Sequence, residues 1–449
     1  MLYRKIAEKI ENHLKTSSKI MIVDGARQTG KSYIIRHVCK KLFKNYIELN
    51  FEEDFEGPGS FQNIHTIQDF YLQLSMLAGE KMGKASDTII FLDEIQRYPH
   101  FFTLLKFLRE DNRYTYIASG SQLGMALKNT TSIPVGSIQI EHMYPLDFEE
   151  FLMANGFGKE ALDILREKYE NSVLFDEATD KKLSDLFHKY LLVGGLPDAV
   201  KAYVETNNIV EVRRVHRDIM RLYIEDAVKY EKDSGRKLKI RRIYEMIPSN
   251  MERQKKRVVV KEIEDKKGKR YDNYIDEFDY LISSGIALGV KAVSTATFPL
   301  IEVTGKNLLK LYYNDVGLLT SVLYGNNIRA VLDDKLSVNL GSVYETVVAQ
   351  ELKAHGYALH YYDNKKKGEV DFLIDDYDTS TIVPIEVKSG KDYTVHSAIN
   401  TFIENEDYAV EKGIVLYNGN ELVEKDNVIY YPVYYTMFLS GNDEKDLIF

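Results

Sequence analysis

The sequence predicts an α/β protein in three parts: a parallel sheet clad in helices over residues 1–155, a helical and winged-helix region over 156–305, and a second α/β region over 306–449. Three observations predict it. Strand-like apolar runs alternate with helical patterns up to Phe151. Apolar residues then recur at three- and four-residue spacing. Strand-like runs return beyond Phe298-Pro299.

In the first part the runs are Ile20 to Val23, Tyr46 to Asn50, Ile89 to Leu92 and Tyr114 to Ala118. They end in Asp24, Asn50, Asp93 and Ser119, which places polar termini along one sheet edge, where open α/β sheets bind ligands. In the second part Leu162 to Tyr169, Asp185 to Val193 and Asn207 to Tyr230 read as amphipathic helices, broken by Gly194-Gly195-Leu196-Pro197. Ile240 to Asn250, a basic segment, Tyr271 to Ser284 and an extended stretch Ala287 to Val293 read as a winged helix. The third part opens with a helix over Ser342 to His355, followed by strands Val370 to Ile374, Ile382 to Lys388 and Lys412 to Tyr417.

Composition narrows the class. A chain of 449 residues with 44% hydrophobic and 28% charged residues has enough apolar material for several cores. No apolar run approaches the roughly 18 residues of a membrane span, and Met1 to Lys15 is too charged for a signal peptide. The single cysteine, Cys39, excludes an intramolecular disulfide framework and a cysteine-cluster zinc site; it reads as a core residue of a soluble protein in the reducing cytoplasm. The net charge of −9 hides a reversal between Lys229 and Arg270, where sixteen Lys and Arg face seven Asp and Glu. That density suits phosphate contacts with DNA and equally suits a solvated loop.

Gly25-Ala26-Arg27-Gln28-Thr29-Gly30-Lys31-Ser32 satisfies G-x-x-x-x-G-K-[ST] between a strand-like run and the helical segment Tyr33 to Leu42. Glycines let successive backbone N–H groups face phosphates, and the helix adds its positive end. Lys31 reaches the β- and γ-phosphates of ATP, and the Ser32 hydroxyl is placed for magnesium. Ile89 to Leu92 then delivers Asp93, expected to hold the hydrated magnesium, and Glu94, expected to draw a proton from the attacking water. Ser121, in Ser119-Gly120-Ser121, is expected to sense the γ-phosphate, or to cap the helix that follows. Arg97, Arg109 and Arg113 are all open as fingers for a neighbouring subunit, and the oligomeric state is open with them.

A second constellation lies near the C-terminal end: Glu345 on a helix, Asp371, and Glu386 with Lys388. Residues two apart on a strand share a face, so Glu386 and Lys388 project together. With Asp371 on a pairing strand and Glu345 nearby, the set suits a second divalent cation with Lys388 steadying a hydroxide. It equally suits ordinary cross-strand ion pairs.

The phosphate loop, Leu92-Asp93-Glu94-Ile95-Gln96, Ser119-Gly120-Ser121 and Tyr144-Pro145-Leu146-Asp147-Phe148-Glu149-Glu150-Phe151 resemble the predicted AAA-superfamily ATPases of archaea and bacteria. The likeness runs on through Gly194-Gly195-Leu196-Pro197, Leu311 to Leu318 and Ile385-Glu386-Val387-Lys388. It implies an AAA-type ATPase domain, a helical and winged-helix middle, and an uncharacterised C-terminal domain with a restriction-endonuclease-like core. It leaves the partner, DNA or protein, open. One departure stands out: such proteins usually carry Gly-Arg ahead of the Tyr-Pro-Leu block, where this chain has Gly136-Ser137. If that arginine assists hydrolysis elsewhere, this chain is expected either to turn over slowly or to use another residue in its place.

Overall fold

The computed structural model of the chain describes residues 2–124, 136–229, 233–264, 268–300, 308–332, 340–364, 368–390 and 397–440. The basic segment read between Lys229 and Arg270 therefore lies partly outside the described residues, at 230–232 and 265–267. Contacts divide the chain into two compact units, Tyr3–Tyr144 with Ser283–Gly285, and Pro145–Ile282 with Ile286–Phe449. Among the described residues no helix is long and apolar enough to cross a membrane.

The first unit is built on a five-stranded sheet of β1 (Ile20–Asp24), β2 (Asn45–Asn50), β3 (Thr88–Asp93), β4 (Thr115–Ser119) and β5 (Ile138–His142), in the order β2-β3-β4-β1-β5. Every pairing is parallel. β1 and β3 are buried along their whole length, the burial that a continuous apolar run in a parallel sheet serves. Alternate residues feed opposite cores: Met21, Val23, Ile89 and Phe91 pack with Ile6, Ile34 and Val38 of α1 (Lys5–Thr16) and α2 (Lys31–Leu42), while Ile22, Ile90 and Leu92 pack with Phe70, Phe101 and Leu105. Cys39 lies in the first of these cores, and burial pushes its thiol up to about 12. β5 is an edge strand whose Gln139, Glu141 and His142 break any apolar run, which is why the hydrophobic pattern does not show it.

Parallel register brings the strand ends together: Asn50 stands beside Asp93, Asp24 beside His142, and Val23 beside Ser119. The chain leaves this edge of β1 directly into the glycine-rich loop.

The second unit joins a helical region to an eight-stranded sheet. Its strands are β6 (Ala287–Val293), β7 (Leu309–Tyr313), β8 (His360–Asn364), β9 (Gly368–Asp376), β10 (Thr381–Lys388), β11 (Gly413–Tyr417), β12 (Val423–Lys425) and β13 (Val428–Pro432), in the order β12-β13-β11-β10-β9-β8-β6-β7. The stretch 287–293, read as part of a winged helix, does form a strand. It pairs antiparallel with β7 and parallel with β8, so it is built into this sheet. The helix predicted from Ser342 spans Gly341–Ala354, and residues 342–352 on it are all buried.

Three motifs of the resemblance meet inside this unit. The Asp315 carboxylate accepts from Gly195 N at 2.6 Å and Leu318 N at 3.2 Å, while Leu146 N donates to Gly195 O at 2.7 Å. A Cβ on Gly195 would stand 1.9 Å from Leu146 O, so the Gly-Gly-Leu-Pro break is a close backbone crossing.

Candidate functional site

The loop from Gly25 to Ser32 needs its glycines. Gly25 has φ +144°, and a Cβ there would stand 2.3 Å from Met143 O. Gly30, with φ 91°, turns the chain into α2. Thr29 Oγ1 closes the loop on Ala26 O at 2.8 Å. Lys31 Nζ donates to Gly25 O at 2.9 Å and Ala26 O at 2.8 Å, which holds its ammonium under the loop, where arriving phosphate oxygens would compete for it. Burial lowers the pKa of Lys31, with Glu94, Asp24 and Asp93 acting in the opposite sense.

Ser32, at the start of α2, and Asp93, at the end of β3, converge across the sheet edge. Ser32 Oγ donates to Asp93 Oδ1 at 2.8 Å, and Ser119 Oγ donates to the same oxygen. Burial raises the Asp93 pKa, Ser119 and Ser32 restrain it, and the Glu94 charge adds to the rise. A hydroxyl and a carboxylate at one point beside a phosphate loop form a donor set that fits magnesium held with nucleotide.

Glu94 sits in the left-handed region, φ 57°. Its Oε2 accepts from Gln96 Nε2 at 2.5 Å and from Ser121 Oγ at 3.3 Å. Gln96 also bonds Ser121, Nε2 to Oγ at 3.1 Å and Oε1 from the backbone N at 3.3 Å. Glu94 and Ser121 are thus brought together, and Gln96, to which sequence reasoning gave no role, ties them. Ser119, read only as the strand end, is the residue that touches Asp93.

Two further contributors stand beside the loop: Arg4, which the sequence reading did not single out, and Asp24, read only as a strand end on this edge. Arg4 donates to Thr29 O at 3.0 Å and to Tyr144 O at 2.6 Å, bracing the loop from beneath. Asp24 Oδ2 lies 3.3 Å from His142 Nδ1. Burial raises the Asp24 pKa against the opposing His142 charge. Neither has a spacing signal.

The three arginines differ. Arg97 is half-buried and forks onto the Glu52 carboxylate, with Glu56 at 3.7 Å. Arg109 reaches Ser18 at 3.2 Å, and Arg113 stands 3.6 Å from Asp111, ahead of β4 and so at the sheet edge remote from the loop. Gly136-Ser137 also lies at that remote edge, because Ser137 O accepts from Ile20 N at the start of β1. Five residues of strand, about 16 Å, separate it from the edge carrying Asp24. An arginine at 137 would not reach this chain's own phosphate loop.

In the second unit the structure brings Glu345, Asp371, Glu386 and Lys388 together. β9 and β10 pair antiparallel, Asp371 Oδ2 accepts from Val387 N at 2.9 Å, and Lys388 Nζ donates to Glu386 Oε1 at 2.8 Å. Burial, reinforced by Asp371, pushes the Glu386 carboxyl up to about 8, against the pull of Lys388. Sequence reasoning missed Lys256, Lys310 and Glu369, which complete the cluster. Lys310 follows a leucine on each side, a pattern that reads as an outward-facing residue of a half-exposed strand. Among the described residues no group of three or more His, Cys, Asp and Glu is arranged to hold a metal ion, and lysine ammoniums stand between these carboxylates. The set does not fit the second divalent cation expected from the sequence.

Comparison with known proteins identifies the domain that carries the first site. Residues 17–152 match the family described as AAA domain. Residues 184–328 and 340–435 match two domains of unknown function, DUF8612 and DUF4143. The uncharacterized protein MJ1637 of Methanocaldococcus jannaschii is 24% identical over 449 residues, covering 96% of this chain and 87% of its own. MJ1544 of the same organism is 22% identical over 370 residues, 80% of this chain and 72% of its own. Among solved structures, the Walker-type ATPase of Pyrococcus abyssi aligns with TM-score 0.44 and 15% identity, over 71% of this chain and 95% of that one. The N-terminal part of this chain is an AAA-type P-loop ATPase domain, and the protein is an ATP-binding enzyme that hydrolyses ATP with magnesium.

Proposed function

We propose that this ATPase is a switch whose nucleotide state controls how its C-terminal module engages nucleic acid. The observation that supports the control is Gly285. It has φ +73°, belongs with the ATPase unit, and a Cβ on it would stand 3.0 Å from Ala26 N of the phosphate loop. The next residue, Ile286, opens the segment that becomes β6. A loop amide that turns toward phosphate therefore moves against a turn continuous with the C-terminal sheet, and a ligand shifts the switch by as much as it favours one arrangement.

In this reading residues 25–32 cradle the triphosphate, Lys31 neutralises the β- and γ-oxygens, and Ser32 and Asp93 hold magnesium. Magnesium, when bound, offsets the charge that develops on the transferred phosphoryl group. Glu94 takes the proton of the attacking water, and Ser121 helps to hold the Glu94 carboxylate in place. The regions 1–155, 156–305 and 306–449 act as ATPase, helical and winged-helix connector, and restriction-endonuclease-like module, in the cytoplasm. The β9–β10 pair carrying Asp371, Glu386 and Lys388 beside Glu345 supports that last fold reading.

A second reading, a regulatory scaffold that binds protein, is favoured by how the basic segment uses its charges. Arg242 donates to Ile263 O at 2.7 Å, Arg253 to Glu262 at 2.6 Å, and Arg257 to Asp363 at 2.8 Å. These groups are committed inside the unit. ATP turnover with and without duplex and single-stranded DNA, beside Lys31→Ala and Glu94→Gln, separates the two readings. DNA-stimulated turnover, with DNA affinity that falls steeply with salt, supports the nucleic-acid switch. Turnover indifferent to DNA sinks it and leaves the scaffold.

A further inference from the structure

Lys310, on β7, has a side chain only 1% exposed. Its ammonium stands 2.7 Å from Glu369 Oε1, 3.9 Å from Asp371 Oδ1 and 4.0 Å from Glu345 Oε2, with the Tyr361 ring centre 4.7 Å away. Lys256 places a second ammonium on Glu345 Oε1, and Tyr312 OH donates to the other Glu345 oxygen at 3.1 Å. Lys388 bonds Glu386. Four carboxyl groups, Glu345, Glu369, Asp371 and Glu386, are thus interleaved with the ammoniums of Lys256, Lys310 and Lys388.

A divalent cation binds where several carboxylate oxygens converge on one point with no other positive charge there. Here the point between Glu369, Asp371 and Glu345 is taken by Lys310. Burial lowers the pKa of that ammonium, but the surrounding carboxylates outweigh burial and raise it, so the lysine stays charged. It is the second residue of β7, and its side chain is buried. The oxygens left without a hydrogen bond include Glu386 Oε2, which is buried, and Asp371 Oδ1, whose Lys310 ammonium stands at 3.9 Å. They share the site with the ammoniums of Lys310 and Lys388, which repel a divalent cation.

Lys256 arrives differently. It lies on the irregular segment between the helices Ile247–Met251 and Val260–Ile263. That segment is pinned by Arg257 on Asp363, at 2.8 Å, and by Val258 N on Leu309 O, at 3.0 Å, one residue from Lys310. The same basic segment that the sequence offers as a phosphate contact is thus drawn over the carboxylate cluster as its counter-charge.

We infer that lysine ammoniums, Lys310 from the sheet and Lys256 from the segment laid over it, occupy the place of a divalent cation in the C-terminal cluster, so that this unit does not cleave phosphodiesters by metal catalysis. The inference concerns the same module as the nucleic-acid reading, but it survives either outcome of the DNA-affinity test.

The test is a count of bound Mn2+ by electron paramagnetic resonance on the full chain, nucleotide-free, in an Asp93→Asn background that silences the ATPase site. The unmodified cluster and Asp371→Asn are expected to bind the same amount. Lys310→Met, which keeps the volume and removes the charge, is expected to gain one Mn2+ per chain, lost again when Asp371→Asn is added. A cluster that binds one Mn2+ more than its Asp371→Asn variant overturns the inference. So does a Lys310→Met protein that folds, by its unchanged unfolding transition, and gains none. If Lys310→Met does not fold, the comparison with Asp371→Asn decides alone.

Discussion

Gln96 Nε2 donates to Glu94 Oε2 at 2.5 Å and stands 3.1 Å from Ser121 Oγ, so one amide ties the candidate base to the end of the neighbouring strand. Glu94 itself leaves β3 in a left-handed conformation, which aims its side chain away from the strand direction and makes it depend on such a tie. Glu94→Gln is expected to lower kcat by about 10²–10⁴-fold, the usual worth of a positioned base. Gln96→Ala leaves the carboxylate present but unheld. Its kcat is expected to fall by about tenfold, a loss of roughly 1.4 kcal/mol in the transition state, with KM for ATP unchanged. Steady-state phosphate release measures both; a Gln96→Ala defect confined to KM would contradict this role.

Ser119 shares Asp93 Oδ1 with Ser32, and both hydroxyls stabilise the ionised carboxylate against burial. Ser119→Ala removes one donor without touching the phosphate loop. The magnesium concentration giving half-maximal turnover is expected to rise several-fold, by an amount in line with about 1 kcal/mol for the lost bond. Saturating magnesium restores kcat. A magnesium titration of turnover that is superimposable on the parent would show that Ser119 only packs.

Gly285 meets the phosphate loop with φ +73°, where a side chain is strained and a Cβ lies 3.0 Å from Ala26 N. Gly285→Ala is expected to weaken ATP binding by about tenfold, since roughly 1 kcal/mol of left-handed strain adds to crowding of the loop amide. Calorimetric titration with ATP reads it. Affinity equal to the parent's would remove the support for the proposed control.

What the sequence shows depends on how each residue is buried. β1, β3 and β4 are visible because central strands buried on both faces need apolar runs, β2 because Ile47 and Leu49 alternate inward, and the glycine loop because its φ values exclude side chains. β5 is not, since an edge strand tolerates Gln139 and Glu141. Arg4 looks like one charge among several near the start of the chain, and only the fold lays it under Thr29. The C-terminal carboxylates are legible as a set, whereas Lys310 is not: a lysine between leucines reads as solvent-facing until a helix carrying Glu345 covers that face. Buried charge pairs between distant segments carry no local pattern, so the partners that change a site's chemistry are the ones sequence hides.

Asp315 provides the pH test of the crossing where the three motifs meet. Burial pushes its carboxyl from 3.8 to about 6, although the Gly195, Leu318 and Gly317 amides pull the other way. Between those two values the folded chain holds more proton than the unfolded one, so the stability Asp315 contributes is full below pH 3.8 and fades as pH rises through about 6. Asp315→Asn cannot titrate, and its amide turns one donor toward an N–H that needs an acceptor. It is expected to cost about 1–3 kcal/mol near neutral pH. Denaturant midpoints of parent and variant, measured from about pH 4 to about 7, are expected to converge as pH rises, because only the parent loses the Asp315 contribution. A difference that stays constant over that window would mean that Asp315 is already ionised throughout, held by its backbone donors.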